Sequence, residues 1–186
     1  MRPVVAFAGP VPDAVHVTHA HKVALMQDIE VALQARQGFA LATLNLDHIV
    51  KLRRDAAFRA AYLAQTHVVA DGNPIVWLSR QAGREVELIP GSELIEPLAG
   101  LAARLGVPVA LLGSTSETLD AAGTALQAQF PGLDIACRIA PPYGFDPMGE
   151  AAAGMLAEIA ASGAGLCFLA LGAPKQEMLA ARARGL

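Results

Sequence analysis

The chain has 186 residues, 54% hydrophobic, 17% charged and 5% aromatic, with a mean hydropathy of +0.41. That balance excludes a disordered chain and suits one domain with a full hydrophobic core. A net charge of −3 and a pI near 5.9 argue against a general nucleic-acid binder, which carries a basic face. No run of about eighteen apolar residues is present, so no stretch is expected to cross a bilayer as a helix. The start, "MRPVVAFAGPVPD", lacks the long apolar region and cleavage site of a signal peptide, and the expected compartment is the cytoplasm.

From the start of the chain, short β-rich runs alternate with stretches whose apolar residues recur every three or four positions. "VVAFAG" predicts a strand and "VTHAHKVALMQDIEVALQARQ" a helix. "FALATL" is a strand, "DHIVKLRRDAAFRAAYLAQ" a helix and "HVVA" a strand again. "NPIVWLSRQAG" and "SELIEPLAGLAARLG" are helical, followed by the strand "VPVALLG" and the helix "TSETLDAAGTALQAQF". "LDIACRIA" is a strand, "PMGEAAAGMLAEIAAS" a helix and "GLCFLALG" the last strand. The string "STSE" at residues 114–117 fits a capping box, and Asp146-Pro147 fits a cap before a first-turn proline. Continuous apolar strands alternating with amphipathic helices predict a Rossmann-like α/β fold, a mostly parallel sheet with helices on both faces, in a single domain over residues 1–186. Cys137 and Cys167 lie far apart in apolar segments, as buried free thiols do.

In such sheets, ligands bind beyond the carboxyl ends of the strands. That rule selects four loops, "TLNLDH", "ADGNP", "LLGSTSE" and "LGAPKQE". Two of them read as anion sites: Gly113-Ser114-Thr115 and Gly172-Ala173-Pro174-Lys175 each open a helix, where N–H groups and the dipole attract phosphate and Lys175 adds a point charge. Ser114 reads equally well as a helix cap. A dinucleotide cofactor is disfavoured, because no G-x-G-x-x-G follows a strand; Gly163-Ala164-Gly165 precedes one instead. P-loop and G-x-S-x-G patterns are missing. His16, His19 and His21 match no standard zinc spacing, and no cysteine or acid completes a set, so no metal site is expected. His48, in the "TLNLDH" region, is a candidate ligand contact, whereas His67 opens an apolar strand and reads as structural. Asp71 has two readings, a helix N-cap or a group that meets ligand.

Taken together, "TLNLDH", "ADGNPIVW", "PGSEL", "LLGS", "PPYG" and "LGAPKQE" resemble, in order and spacing, the WecG/TagA/CpsF glycosyltransferase family (glycosyltransferase family 26) from about residue 38 to the end. The resemblance implies transfer of a sugar (N-acetylmannosamine, its uronic acid, or glucose type) from a UDP-sugar donor to a saccharide on a polyprenyl-pyrophosphate carrier. The setting it implies is synthesis of common antigen, teichoic acid linkage units, capsule or exopolysaccharide. It implies inversion at the anomeric carbon, no metal and no cofactor, peripheral attachment at the inner face of the plasma membrane, and no nucleic-acid partner; it admits a homo-oligomer. Asp71 falls on the family's proposed catalytic base, and a carboxylate within hydrogen-bond reach of a sugar hydroxyl typically contributes roughly 10²–10⁴-fold. Gly72 lets the backbone turn closely past substrate, Asn73 shares that loop, and Thr43 and Asn45 match the family's T-x-N positions. Lys175 and the N–H groups around Gly113 and Gly172 are the candidates for stabilising the leaving UDP. Pro174, Gln176 and Glu177 complete the "PKQE" string; Gln176 and Glu177 are expected to hold uridine or a sugar hydroxyl, with Glu177 equally readable as a first-turn acid.

Two departures stand out. Leu88 occupies the position where the family usually has an arginine, and Glu93 one where it usually has aspartate. Family members also continue for several tens of residues past "PKQE" with a basic segment, which this chain, ending in "LAARARGL", is expected to lack. The Leu88 departure keeps open a rival reading as a non-catalytic nucleotide-sugar-binding module.

Overall fold

The apolar runs become strands of only three to five residues, because each is bracketed by polar or glycine-containing turns. The computed structural model describes residues 5–7 and 14–184. Along the chain come β1 (Val5–Phe7), β2 (Val15–Val17), α1 (Lys22–Gln34), β3 (Leu41–Leu44), α2 (Leu46–Arg54), α3 (Ala56–Leu63) and β4 (His67–Ala70). Then follow α4 (Asn73–Gln81), a 3-10 turn (Gly91–Leu94), α5 (Ile95–Leu105), β5 (Val109–Gly113), α6 (Ser116–Gln129), β6 (Ile135–Ile139), α7 (Glu150–Ala161), β7 (Leu166–Ala170) and α8 (Lys175–Ala183). The expected α/β class with parallel strands is what forms. Its ladders fall into three groups: β1 antiparallel to β2, β3 parallel to β4, and β6-β5-β7 all parallel. β2 lies against β4 through the Thr18 amide, which donates to the Val68 carbonyl at 2.8 Å. Val69 of β4 shares one buried cluster with Val109 and Leu111 of β5 and Leu166 of β7, so the parallel groups rest on a common core.

Several boundaries differ from the sequence reading, each for a local reason. The predicted helix over 47–65 breaks at Asp55, an extended residue that is both the C-cap of the first helix and the N-cap of the second, accepting from Phe58 N at 2.9 Å. The "VTHAH" stretch is not the start of a helix: β2 and an extended link precede α1. Thr115, not Ser114, caps α6, accepting from the Thr118 amide at 3.3 Å. Asp146 does not cap α7, whose N-cap is Gly149; it accepts from Met148 N at 2.9 Å in a turn of its own. Cys137 and Cys167 are free thiols as expected, but partly rather than fully buried. Part of the first predicted strand, residues 4, 8 and 9, lies outside the described residues. No helix among the described residues is long and apolar enough to cross a membrane.

Candidate active site

Asp71 follows the last residue of β4, and its amide donates to the Leu44 carbonyl at 2.8 Å, extending the β3–β4 ladder by one bond. It is not the helix cap. Gly72, with φ of 108°, is the N-cap of α4, so a residue with a side chain would be strained there. The half-buried Asp71 carboxylate has no hydrogen-bond partner among the described residues. On one side of it, the Ile89 amide donates to the Ala70 carbonyl at 2.8 Å and brings the "PGSEL" turn alongside. Gly91 in that turn packs on Thr43: a Cβ there would lie 3.3 Å from Thr43 Cγ2. The backbone of that turn therefore closes onto the T-x-N segment.

A buried chain of hydrogen bonds supports the same strand ends. Tyr62 OH donates to the Thr43 carbonyl at 3.0 Å, and His48 Nδ1 lies 2.8 Å from the same phenol oxygen. With its one proton directed at Thr43, the phenol accepts from His48, so Nδ1 carries the imidazole proton and Nε2 keeps its lone pair. Burial lowers the His48 pKa, opposed by the negative charges of Glu177, Asp47 and Asp71, and the ring is neutral at pH 7. Burial, reinforced by Glu177 and Asp71, likewise holds the Tyr62 phenol protonated. His48, Tyr62, Glu177 and Asp71 thus form one electrostatic neighbourhood. Tyr62 is the member that the sequence reading missed; its only signal is a phenol on the buried face of a helix.

Other candidates turn out to be engaged locally. Asn45 caps α2, its Oδ1 accepting from His48 N at 2.9 Å. Gly113 is required by packing: at φ 131° its Cα abuts β7, and a Cβ would meet the Ala170 carbonyl oxygen at 2.3 Å. The Ser114 amide is taken by Ala170 O at 3.2 Å, and the Gly172 amide by Gln176 Oε1 at 3.2 Å. Those two N–H groups are bonded within the chain rather than presented to an anion. Asn73 is exposed at the start of α4. Pro174 is the N-cap residue of α8, after a cis Ala173–Pro174 bond. Glu177, in the first turn of α8, is 2% exposed; Oε1 accepts from Gln176 Nε2 at 3.1 Å while Oε2 has no partner. Lys51, on α2, donates to the Ala173 carbonyl at 3.4 Å and ties the loop after β7 to the helix after β3.

Beside this cluster is an open cleft of about 450 Å³, lined by Ser114, the "PPYGF" loop over Pro141 to Phe145, Ala170, Leu171 and Lys175. The Lys175 ammonium lies 4.8 Å above the Phe145 ring, and the Tyr143 ring is fully exposed. An exposed aromatic face, a cation and a hydroxyl on one cleft suit a ligand with a flat base and phosphates. Neither Tyr143 nor Phe145 was singled out in the sequence, although the "PPYG" string was. Leu88, at the arginine position, is 37% exposed. The histidine-rich stretch behaves differently from expectation too: His19 does find an acid, Asp28, together with His67. Residues 13–186 match the model of the Glycosyl transferase WecG/TagA/CpsF family, a match that begins well before the motifs legible by eye. That family works in the synthesis of cell-surface polysaccharides.

Proposed function

We propose, since the chain belongs to the WecG/TagA/CpsF glycosyltransferase family, that it transfers a sugar from a UDP-sugar to a saccharide carried on polyprenyl pyrophosphate, by a single inverting displacement that needs no metal. The observation carrying this reading is the Asp71 carboxylate, half-buried at a strand end, bypassed as a helix cap and left without a partner among the described residues. In this mechanism Asp71 accepts the proton of the acceptor hydroxyl as that oxygen attacks the anomeric carbon, and the bond to UDP breaks on the opposite face. In this reading Thr43 orients one of the sugars, and the neutral, Tyr62-held His48 offers its Nε2 lone pair as an acceptor. The departing diphosphate is balanced by Lys175, with Ser114 lining the same cleft and Tyr143 offering its ring to the base. Work at the inner face of the plasma membrane follows from the lipid carrier.

Asp71→Asn tests the assignment. The change is nearly isosteric and removes no hydrogen bond of the fold, so the melting temperature is expected to stay within about 1 °C while transfer falls roughly 10²–10⁴-fold. UDP affinity, measured by calorimetry in EDTA, is expected to be unchanged. Retention of wild-type turnover by Asp71→Asn sinks the base assignment; UDP binding that needs magnesium or manganese sinks the metal-free one.

A further inference from the structure

At the other end of β4 from Asp71, side chains from three elements converge. His19 follows β2, Asp28 lies on α1 and His67 opens β4. His19 Nε2 is 2.8 Å from Asp28 Oδ2, and one ligand-capable atom of each of the three residues lies within 4.8 Å of the others. The two imidazoles stack with centroids 4.9 Å apart and planes 12° from parallel. Both histidines are buried, at 3% and 9% exposure, while the carboxylate faces solvent.

Hydrogen placement decides what these rings present. Thr66 Oγ1 donates to the Ala40 carbonyl at 3.0 Å and accepts the Ala40 amide at 2.9 Å, so its one proton is committed. His67 Nδ1, 2.8 Å away, is therefore the donor of that pair. Thr18 repeats the pattern: Oγ1 donates to the Val68 carbonyl at 3.2 Å, accepts the Val68 amide at 2.8 Å, and receives His19 Nδ1–H at 2.9 Å. Two threonines pinned to main chain at Ala40 and Val68 thus fix both rings as Nδ1–H, leaving both Nε2 atoms for something else. At His19 that lone pair faces a carboxylate oxygen at 2.8 Å. Two acceptors at that distance need a positive species between them, either a proton or a cation.

We propose that His19, Asp28 and His67 form a binding site for a divalent transition metal of the zinc class. A proton answers only the His19–Asp28 pair; a divalent ion answers all three groups. Two imidazoles and one carboxylate suit zinc and its neighbours, and each imidazole has its distal Nδ1–H held by a hydrogen bond, as the histidines of such sites do. Zinc–nitrogen bonds of about 2.0–2.1 Å put tetrahedral donors about 3.3 Å apart, so the trio must contract. The ion must also lie in both ring planes, so one imidazole has to turn out of the near-parallel stack. Asp28, exposed on α1, has room to follow. The bound ion ties α1 and the β2–α1 link to the base of the strand that carries Asp71 at its other end.

Zinc chloride alone, titrated into the untagged chain near neutral pH, provides the test. One equivalent is expected to bind, and at a hundredfold excess over Kd the melting temperature is expected to rise by about 5–10 °C. Cobalt should give the visible absorption of a tetrahedral ion. Asp28→Asn, at an exposed helical position, and His67→Gln should each weaken binding tenfold or more, whereas the pair His16→Gln and His21→Gln should not. Three results overturn the proposal. One is binding that survives Asp28→Asn but not loss of His16 and His21, which marks adventitious surface histidines. Another is binding indifferent to every variant. The third is no binding of zinc or cobalt by the wild-type chain, which means a proton fills the gap between His19 and Asp28.

Discussion

Gly113 was a candidate phosphate contact in the sequence, and the fold gives it another duty that a single methyl group tests. In Gly113→Ala the new Cβ would lie 2.3, 2.5 and 2.9 Å from the carbonyl oxygen, carbonyl carbon and Cα of Ala170, all main chain. Relief to ordinary contact requires the end of β7 to retreat by about 1 Å, a shift that close-packed interiors resist. It also stretches the Ser114 N to Ala170 O bond, now 3.2 Å, beyond bonding range. Overpacking costs about 1–3 kcal/mol, the lost bond about 1 kcal/mol and the alanine φ about 1–2 kcal/mol. A sum near 4 kcal/mol in a chain of this length lowers the melting temperature by about 8–16 °C. Gly172→Ala is the control: its φ is 71°, but a Cβ there meets nothing within 4 Å, so only the backbone strain of about 1 kcal/mol applies. Scanning calorimetry of both variants, with UDP titrations on each, separates the two duties. A Gly113→Ala chain that melts within about 2 °C of wild type while losing UDP refutes the packing argument and restores the phosphate reading.

Tyr62→Phe should strand the Thr43 carbonyl and the His48 N–H together. A loss of about 1–3 kcal/mol is expected in denaturant titrations, with transfer falling as the strand end loosens. Lys175→Ala, which removes only a contact with Phe145, should leave the melting temperature nearly unchanged and weaken UDP about tenfold, an effect that added salt diminishes. Burial, and secondarily Cys137, pushes the Cys167 thiol up to about 12 from an ordinary 9.0. Its contribution to stability is therefore whole below pH 9 and is lost as pH rises towards 12, since only the unfolded chain releases the proton there. Over that window the loss approaches about 4 kcal/mol, and Cys167→Ala should flatten the slope of stability against pH measured between pH 8 and 10.

What the sequence disclosed follows from how local each feature is. The strands from β3 to β7 were legible because continuous apolar runs end in glycine or polar residues, and helix α6 because its cap and first-turn acid lie within a few residues of each other. β2 was not legible: three residues, with histidine in the middle, carry too little periodicity. Asp55 hid a helix break because an acid inside an amphipathic run looks like a solvated face until its carboxylate is seen on Phe58 N. The split of the strands into three ladders depends on pairings between distant segments, which no local pattern encodes. At the site, "LLGS", "PPYG" and the loop after β7 share one cleft, while "TLNLDH", "ADGNP" and "PGSEL" meet one another at the ends of β3 and β4. The bonds that occupy Asn45, the Ser114 amide and the Gly172 amide depend on three-dimensional neighbours. The His19–Asp28–His67 group spans forty-eight positions and defeated a search by spacing.

Sorting the polar groups of the strand-end loops by whether the fold already satisfies them yields a sharper division than residue type does. Asn45, Ser114 N–H, Gly172 N–H and Gln176 all close bonds that shape their own loops. Removing any of them should be read first as a change of loop geometry. The Asp71 carboxylate, the Lys175 ammonium and Glu177 Oε2 have no hydrogen-bonding or ionic partner of their own among the described residues, and the tautomer of His48 leaves Nε2 as a lone pair. A buried or half-buried polar atom without a partner lowers stability, and the fold tolerates it where another molecule completes the set. The four differ in kind: two carboxylates, one cation and one neutral acceptor. Glu177 is the informative one, because it is the most deeply buried of them and adjoins both His48 and the loop bearing Lys175. In the reaction proposed above, Asp71, the neutral His48 imidazole and Glu177 would act as one acceptor-side unit, with Lys175 and the Tyr143 cleft serving the donor.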